Sequence, residues 1–191
     1  GAHSFSTGGK LSYVEDVKVN SSGSTLDLTN QTESFNITVG AGTDNVTGGD
    51  AADTILILNT TEGDADTITG GAGADTISLS TGTHTFTTDG RINTIETITT
   101  HSSGSTLVLT GQTEAFTVTG GAGVDNITGG NAADVITGGA GNDTLVGGVG
   151  NDTFNVDSGT DTITLLGGDN SGAGGDSDVL VVSSGATANA A

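Results

Sequence analysis

A single apolar residue recurs at every ninth position through Val19, Leu28, Ile37, Val46 and Ile55. The series resumes in a shifted phase at Ile68, Ile77, Phe86 and Ile95. It then returns to the first phase through Thr100, Leu109, Val118, Ile127, Ile136, Leu145, Phe154 and Ile163. The two shifts insert four and then five residues, so together they restore the register. A period of nine fits neither a helical stripe, which needs apolar residues three and four apart, nor a hairpin meander with its paired turns. It fits short strands alternating with tight glycine turns. Two nine-residue units then close one turn, and each apolar residue stacks on its equivalent eighteen residues later. The expectation is an all-β fold, a parallel β-roll or β-helix solenoid whose turns bury a narrow core only against one another.

A longer repeat is laid over the short one. Residues 21–55, SSGSTLDLTNQTESFNITVGAGTDNVTGGDAADTI, recur at 102–136 as SSGSTLVLTGQTEAFTVTGGAGVDNITGGNAADVI, an offset of 81 and so a multiple of nine. The correspondence extends upstream, pairing Phe5 with Phe86, Lys10 with Arg91, and Val14–Val17 with Ile95–Ile98. The opening GAHSF echoes Gly82–Phe86, and with no initiator Met the chain is expected to be a segment cut from a longer array.

Composition narrows the function classes. Asp+Glu number 23 against three Lys+Arg, a formal charge of −20, so no basic face exists to neutralise phosphates and nucleic acid is excluded as a partner. An acidic chain with five Phe, one Tyr and no Trp would ordinarily be read as disordered. Here the carboxylates keep a fixed phase, which points to bound cations. The absence of Cys excludes disulfides, thiolate zinc sites and Cys nucleophiles. With no run of about 18 apolar residues, no membrane span is expected.

The chemistry is concentrated in four tandem units. They read GGAGVDNIT from Gly120, GGNAADVIT from Gly129, GGAGNDTLV from Gly138 and GGVGNDTFN from Gly147. Glycines at these places permit φ > 0 and turn the backbone tightly enough for its carbonyls to face a cation. The Asp supplies the hard oxygen that Ca2+ prefers, carbonyls complete a shell of about six to eight oxygens, and the apolar residue two positions later anchors the strand. These residues closely resemble the RTX, or haemolysin-type, calcium-binding nonapeptide G-G-x-G-x-D-x-U-x, where U is a large apolar residue.

The resemblance implies a right-handed roll with two nonapeptides per turn and calcium between turns, so that aspartates eighteen residues apart share sites. It pairs Asp125 with Asp143, Asp134 with Asp152, and Asp143 with Asp161, with Gly121, Gly123, Gly130, Gly139, Gly141, Gly148 and Gly150 in the metal loops. Looser matches carry Asp44, Asp53, Asp66 and Asp75. A four-residue insertion near Leu58–Thr61 separates the pairs Asp44/Asp66 and Asp53/Asp75 by 22 residues, and Glu62 and Asp64 are either further ligands or solvating carboxylates. Where the nine-residue phase calls for Asp, the chain has Val17, Leu26, Phe35, Ile98, Leu107 and Phe116 instead. Those turns are expected to have longer strands and no calcium. The chain then divides into 1–81 and 82–164, each running from metal-free turns into calcium-binding turns, followed by 165–191 as a cap with a disordered tail. A partial site at Asp176–Asp178 is the alternative for that last segment.

No G-x-S-x-G, H-E-x-x-H or P-loop pattern occurs, and aspartates at one fixed phase suit cation ligation better than acid/base pairs, so no enzyme activity is expected. His3 and His84 occupy equivalent repeat positions and are expected to face solvent. No regular exposed threonine array or aromatic platform argues for an ice-binding or carbohydrate-binding face. The resemblance implies a secreted, extracellular chain, exported unfolded through type I secretion and folding outside on calcium. The Thr/Ser/Gly/Ala-rich, Lys-poor composition is similar to that of S-layer proteins and adhesins on the Gram-negative cell surface, with self-association or other surface-layer components as partners. The alternative is the C-terminal folding module of a type I-secreted enzyme or toxin.

Overall fold

The structure is a computed structural model that describes residues 2–4, 11–19, 23–58, 66–164, 177–183 and 186–190. Phe5, Lys10, Glu62, Asp64 and Asp176 lie outside the described residues. Short strands, numbered in chain order, form three wholly parallel sheets. One short sheet stacks β1 (Ala2–Ser4), β3 (Thr25–Asp27), β5 (Asn45–Thr47), β7 (Thr67–Thr69) and β10 (Ile92–Asn93). The long sheet stacks β2 (Asp16–Lys18), β4 (Asn36–Val39), β6 (Thr54–Ile57), β8 (Thr76–Leu79), β11 (Thr97–Thr99), β13 (Thr117–Thr119), β15 (Val135–Thr137), β17 (Thr153–Val156) and β19 (Val179–Val182). The third stacks β9 (Gly82–Thr85), β12 (Ser105–Val108), β14 (Asn126–Thr128), β16 (Thr144–Val146), β18 (Thr160–Thr164) and β20 (Thr187–Ala190). Successive strands alternate between the long sheet and a facing one. The described residues thus form an all-β solenoid, one long-sheet strand to each turn, that fits a right-handed roll. No helix among the described residues is long and apolar enough to cross a membrane.

Alternation explains the strands. In β14, β15 and β16 the central Ile127, Ile136 and Leu145 are fully buried while their neighbours face outward. Each inward side chain stacks on its counterpart in the next turn, as Ile127 does on Leu145 and Leu145 on Ile163. The register is eighteen residues through the tandem nonapeptides, as in Thr117↔Val135 and Asn126↔Thr144. It widens to 22 where Asn45 meets Thr67 and Thr54 meets Thr76, the effect expected of the four-residue insertion.

The metal-free turns depart from the nine-residue phase. Val17 aligns with Ile37 and Leu26 with Val46, while Ile98 aligns with Val118 and Leu107 with Ile127, so these turns are twenty residues long. The inward row therefore runs through Val17, Leu26, Ile98 and Leu107, and the aspartate position beside them falls to Glu15, Ser24, Glu96 and Ser105. The two extra residues sit in the loops 28–35 and 109–116, each closed by a buried glutamine. Gln112 accepts a hydrogen bond from the Ile92 N–H (3.3 Å) and donates to the Phe86 and Thr88 carbonyls (3.1 and 2.7 Å). Gln31 accepts from the Leu11 N–H at 2.7 Å. Val19, Leu28 and Leu109 remain core residues, one inward step along their strands from the aligned row.

Between β8 and β11 the facing sheet changes over. That turn carries two short strands: β9 pairs forward with β12, and β10 pairs back with β7. His84 lies in β9 opposite Leu107 and is fully buried, with Nε2 3.0 Å from the Ser80 carbonyl oxygen. The expected solvent-facing histidine is therefore a core residue, because the changeover places it in the inward row. His3 is exposed, as expected. Two other expectations also change. Thr187–Ala190, read as tail, pairs with β18, and β19 extends the long sheet. Threonines do form a regular outer array: Thr54, Thr76, Thr97 and Thr117 make one rank on the long sheet, with Ser78, Thr99, Thr119 and Thr137 beside it.

Candidate metal sites

Each aspartate of the repeats precedes the inward residue of a strand by two positions, which turns its side chain into the roll at the loop edge. Asp44, Asp53, Asp66, Asp75, Asp125, Asp134, Asp143, Asp152 and Asp161 are all buried, none more than 2 % exposed. They are held by a ladder running along each edge. The Asp125 N–H donates to Asp143 Oδ1 at 2.8 Å, Asp134 to Asp152 at 2.8 Å, and Asp143 to Asp161 at 3.0 Å. In the first half the Asp44 N–H donates to Asp66 Oδ1 (2.8 Å) and the Asp53 N–H to Asp75 Oδ1 (2.7 Å). Every pair drawn from the sequence is therefore adjacent in space.

The ladder extends beyond the motif. Its N-terminal rungs are Ser24, Phe35, Ser105 and Phe116, whose N–H groups donate to Asp44, Asp53, Asp125 and Asp134. At the other ends the Asp75 N–H donates to Glu96 Oε2 (2.7 Å) and the Asp152 N–H to Asp178 Oδ1 (2.9 Å). Sequence reasoning missed Glu96 altogether and gave Asp178 second place to a cap.

The ladder leaves the second carboxylate oxygen directed at glycine. Asp53, Asp125 and Asp134 each accept from the N–H of the glycine four residues earlier, at 2.8 to 3.0 Å. Oδ2 of Asp75, Asp143 and Asp161 is buried with no hydrogen-bond partner. Burial pushes the carboxyls of Asp53, Asp134 and Asp161 above the usual range. It raises Asp75 to about 6, helped by the charges of Asp53 and Glu96. Asp143 also reaches about 6 by burial, and the charges of Asp161, Asp125 and Asp157 add to it.

The glycines form a cradle. A β-carbon on Gly129 would meet both Asp134 Oδ2 and the Gly147 carbonyl oxygen, and one on Gly138 would lie 2.5 Å from Asp143 Oδ2. Gly139, Gly141, Gly148 and Gly150 have φ of 89°, 141°, 104° and 122°, so they do use the left-handed region. Gly121, Gly123 and Gly130 do not. They are required because a side chain would strike the backbone of the preceding turn, at His101, Ser103 and Gln112 respectively.

Among the described residues no three His, Cys, Asp or Glu side chains converge into a metal cage. The donor set is instead one carboxylate per loop, with a glycine carbonyl oxygen of the next turn beside Asp53, Asp125 and Asp134. Buried carboxylate oxygens beside carbonyls, with no nitrogen or sulfur donor, fit a hard cation such as Ca2+ and do not fit zinc. A family model for the RTX calcium-binding nonapeptide repeat matches in four copies, at residues 36–56, 60–83, 119–154 and 137–171, just over half of the chain. No curated protein and no solved structure matches it.

Proposed function

The chain belongs to the RTX calcium-binding nonapeptide repeat family, and on that footing we propose that it is a structural module, not an enzyme, of an extracellular S-layer or adhesin-type surface protein that folds and assembles on Ca2+. Members of this family are generally secreted. The observation that carries the reading is the edge ladder of buried aspartates, in which Asp75 and Asp143, raised to about 6 chiefly by burial, also face like charges one turn away. Without a cation these groups repel one another, and the glycine loops are costly to order. Asp125, Asp134, Asp143, Asp152 and Asp161, with the loops of Gly121, Gly123, Gly130, Gly139, Gly141, Gly148 and Gly150, are the residues that would hold it. Asp44, Asp53, Asp66 and Asp75 would do so in the first half. Bound Ca2+ supplies the positive charge that offsets two carboxylates, so binding free energy becomes folding free energy.

The exposed acidic side chains of the loops, such as Asp50, Asp89 and Asp157, support a role in joining neighbouring molecules through Ca2+. Circular dichroism and light scattering across a calcium titration test both parts. Coil should turn to β structure, and assembly should follow at higher calcium. Full folding in chelator refutes calcium-driven folding. Folding on calcium without self-association removes the assembly role and favours the folding module of a type I-secreted enzyme or toxin.

A further inference from the structure

At the changeover turn the described structure repeats the geometry of a nonapeptide site with residues that belong to no nonapeptide. In the repeats, the space beside the first glycine of the loop is faced by two oxygens at Gly48, Gly120 and Gly129. One is Oδ2 of that loop's aspartate, the other the carbonyl of the first glycine one turn later. Gly48 has Asp53 Oδ2 and the Gly70 carbonyl there; Gly129 has Asp134 Oδ2 and the Gly147 carbonyl. The same space beside Gly70 is faced by Asp75 Oδ2 and by the carbonyl oxygen of Thr94. The family match ends at residue 83, and neither Thr94 nor Glu96 belongs to it.

The loop that supplies this second wall is only three residues long, Thr94-Ile95-Glu96 between β10 and β11, whereas a repeat loop such as 48–53 has six. Thr94 takes the place of the first glycine. The Gly70 N–H donates to the Asn93 carbonyl (3.0 Å), just as the Gly48 N–H donates to Thr69 (2.9 Å). Glu96 takes the place of the aspartate, and its extra methylene spans the shortened loop to accept the Asp75 N–H at 2.7 Å. The Thr94 hydroxyl accepts the Gly71 N–H at 2.9 Å. At Gly49, Gly121 and Gly130 that N–H goes to Oδ2 of the loop's own aspartate, whereas Asp75 Oδ2, like those of Asp143 and Asp161, is buried and without a hydrogen-bond partner.

We infer that Asp75 and Glu96, with the Thr94 carbonyl, form a further Ca2+ site that joins the first stack of repeats to the changeover turn. The inference rests on the calcium-binding reading of the family repeats. A buried carboxylate oxygen with no hydrogen-bond partner, brought beside a carbonyl oxygen, is repelled by it unless the two share a cation. If Glu96 served only to cap the Asp75 N–H, its charge would be irrelevant.

Equilibrium dialysis of the whole chain against Ca2+ separates the two roles. Glu96→Gln keeps an oxygen acceptor for the Asp75 N–H but removes the charge, and it should bind one Ca2+ fewer than the parent. Unchanged stoichiometry and affinity in Glu96→Gln overturn the site and leave the repeat sites standing. Hydrogen exchange on the unaltered chain gives a reading independent of the variant's folding. Saturating Ca2+ should slow exchange at 92–99, which contains no repeat aspartate. Protection of 120–164 without protection of 92–99 also overturns it. A parent chain that binds no Ca2+ sinks this site together with the calcium reading, a result distinct from the loss of one site.

Discussion

Calcium should reverse the sign of the pH dependence of stability. Without it, Asp75 and Asp143 titrate near 6 in the folded chain against 3.8 in the unfolded one. A raised folded value means that the native state binds more protons between about pH 4 and 6, so stability falls as pH rises through that window. At about 1.4 kcal/mol per unit the shift from 3.8 to about 6 is up to about 3 kcal/mol for each carboxyl, roughly 6 for the two. That is comparable to the whole stability of an ordinary domain, about 5 to 15 kcal/mol. With Ca2+ coordinated, the same carboxylates are held ionised and their folded values fall below 3.8, so stability is present at neutral pH and lost on acidification. The β structure that calcium-stripped protein holds, read by circular dichroism, and the urea unfolding of calcium-saturated protein, both from about pH 4.7 to 7.5, measure the two slopes. The lower limit keeps the chain soluble above its isoelectric point near 4.1. The calcium-free protein should be more stable at the acid end and the loaded protein at the neutral end. Slopes of the same sign would refute the claim that buried, mutually repelling carboxylates oppose the metal-free fold.

Gly139→Ala should destabilise the calcium-loaded chain by about 2 to 4 kcal/mol in urea unfolding, because φ is 89° and the added carbon meets the Gly121 carbonyl oxygen. Gln112→Ala removes one acceptor and two donor bonds inside the roll. At about 1 to 3 kcal/mol for each buried group left unsatisfied, it should cost about 3 kcal/mol or more. Calcium stoichiometry should not change, since Gln112 lies outside the aspartate loops; a loss of bound ions would show that this turn carries metal.

The repeats were legible because backbone stacking permits little else. Where a turn is eighteen residues, an aspartate and an apolar residue two apart define both edge and face, and the pairs from Asp125 to Asp161 follow directly. The metal-free turns were harder. Leu26 and Leu28 both point inward and are two residues apart, so a two-residue enlargement of the loop that follows leaves the apolar period looking intact. The aligned row is Leu26, and Ser24 rather than Leu26 holds the aspartate position. Glu96 escaped because the nine-residue phase puts Ile98 at the aspartate position, whereas the twenty-residue turn moves that position two residues back to Glu96. His84 was misplaced because its turn is shared between two facing sheets, and the threonine ranks stayed hidden because members of one rank lie eighteen to 22 residues apart.

The changeover turn also gives the roll an uneven coupling along its length. A solenoid behaves as a linear lattice in which each unit is stabilised by its two neighbours. Almost everywhere two rows of strand pairing transmit that stabilisation. At 82–93 the facing row ends with β10 and begins again with β9, so this turn pairs back through β10 and forward through β9, and the long sheet is the row that continues unbroken. On the facing side, stabilisation crosses this turn through the covalent segment between β9 and β10, whereas on the long sheet it passes directly from strand to strand. The long sheet is thus the common spine of the roll, and the two facing sheets are separate rows set along it.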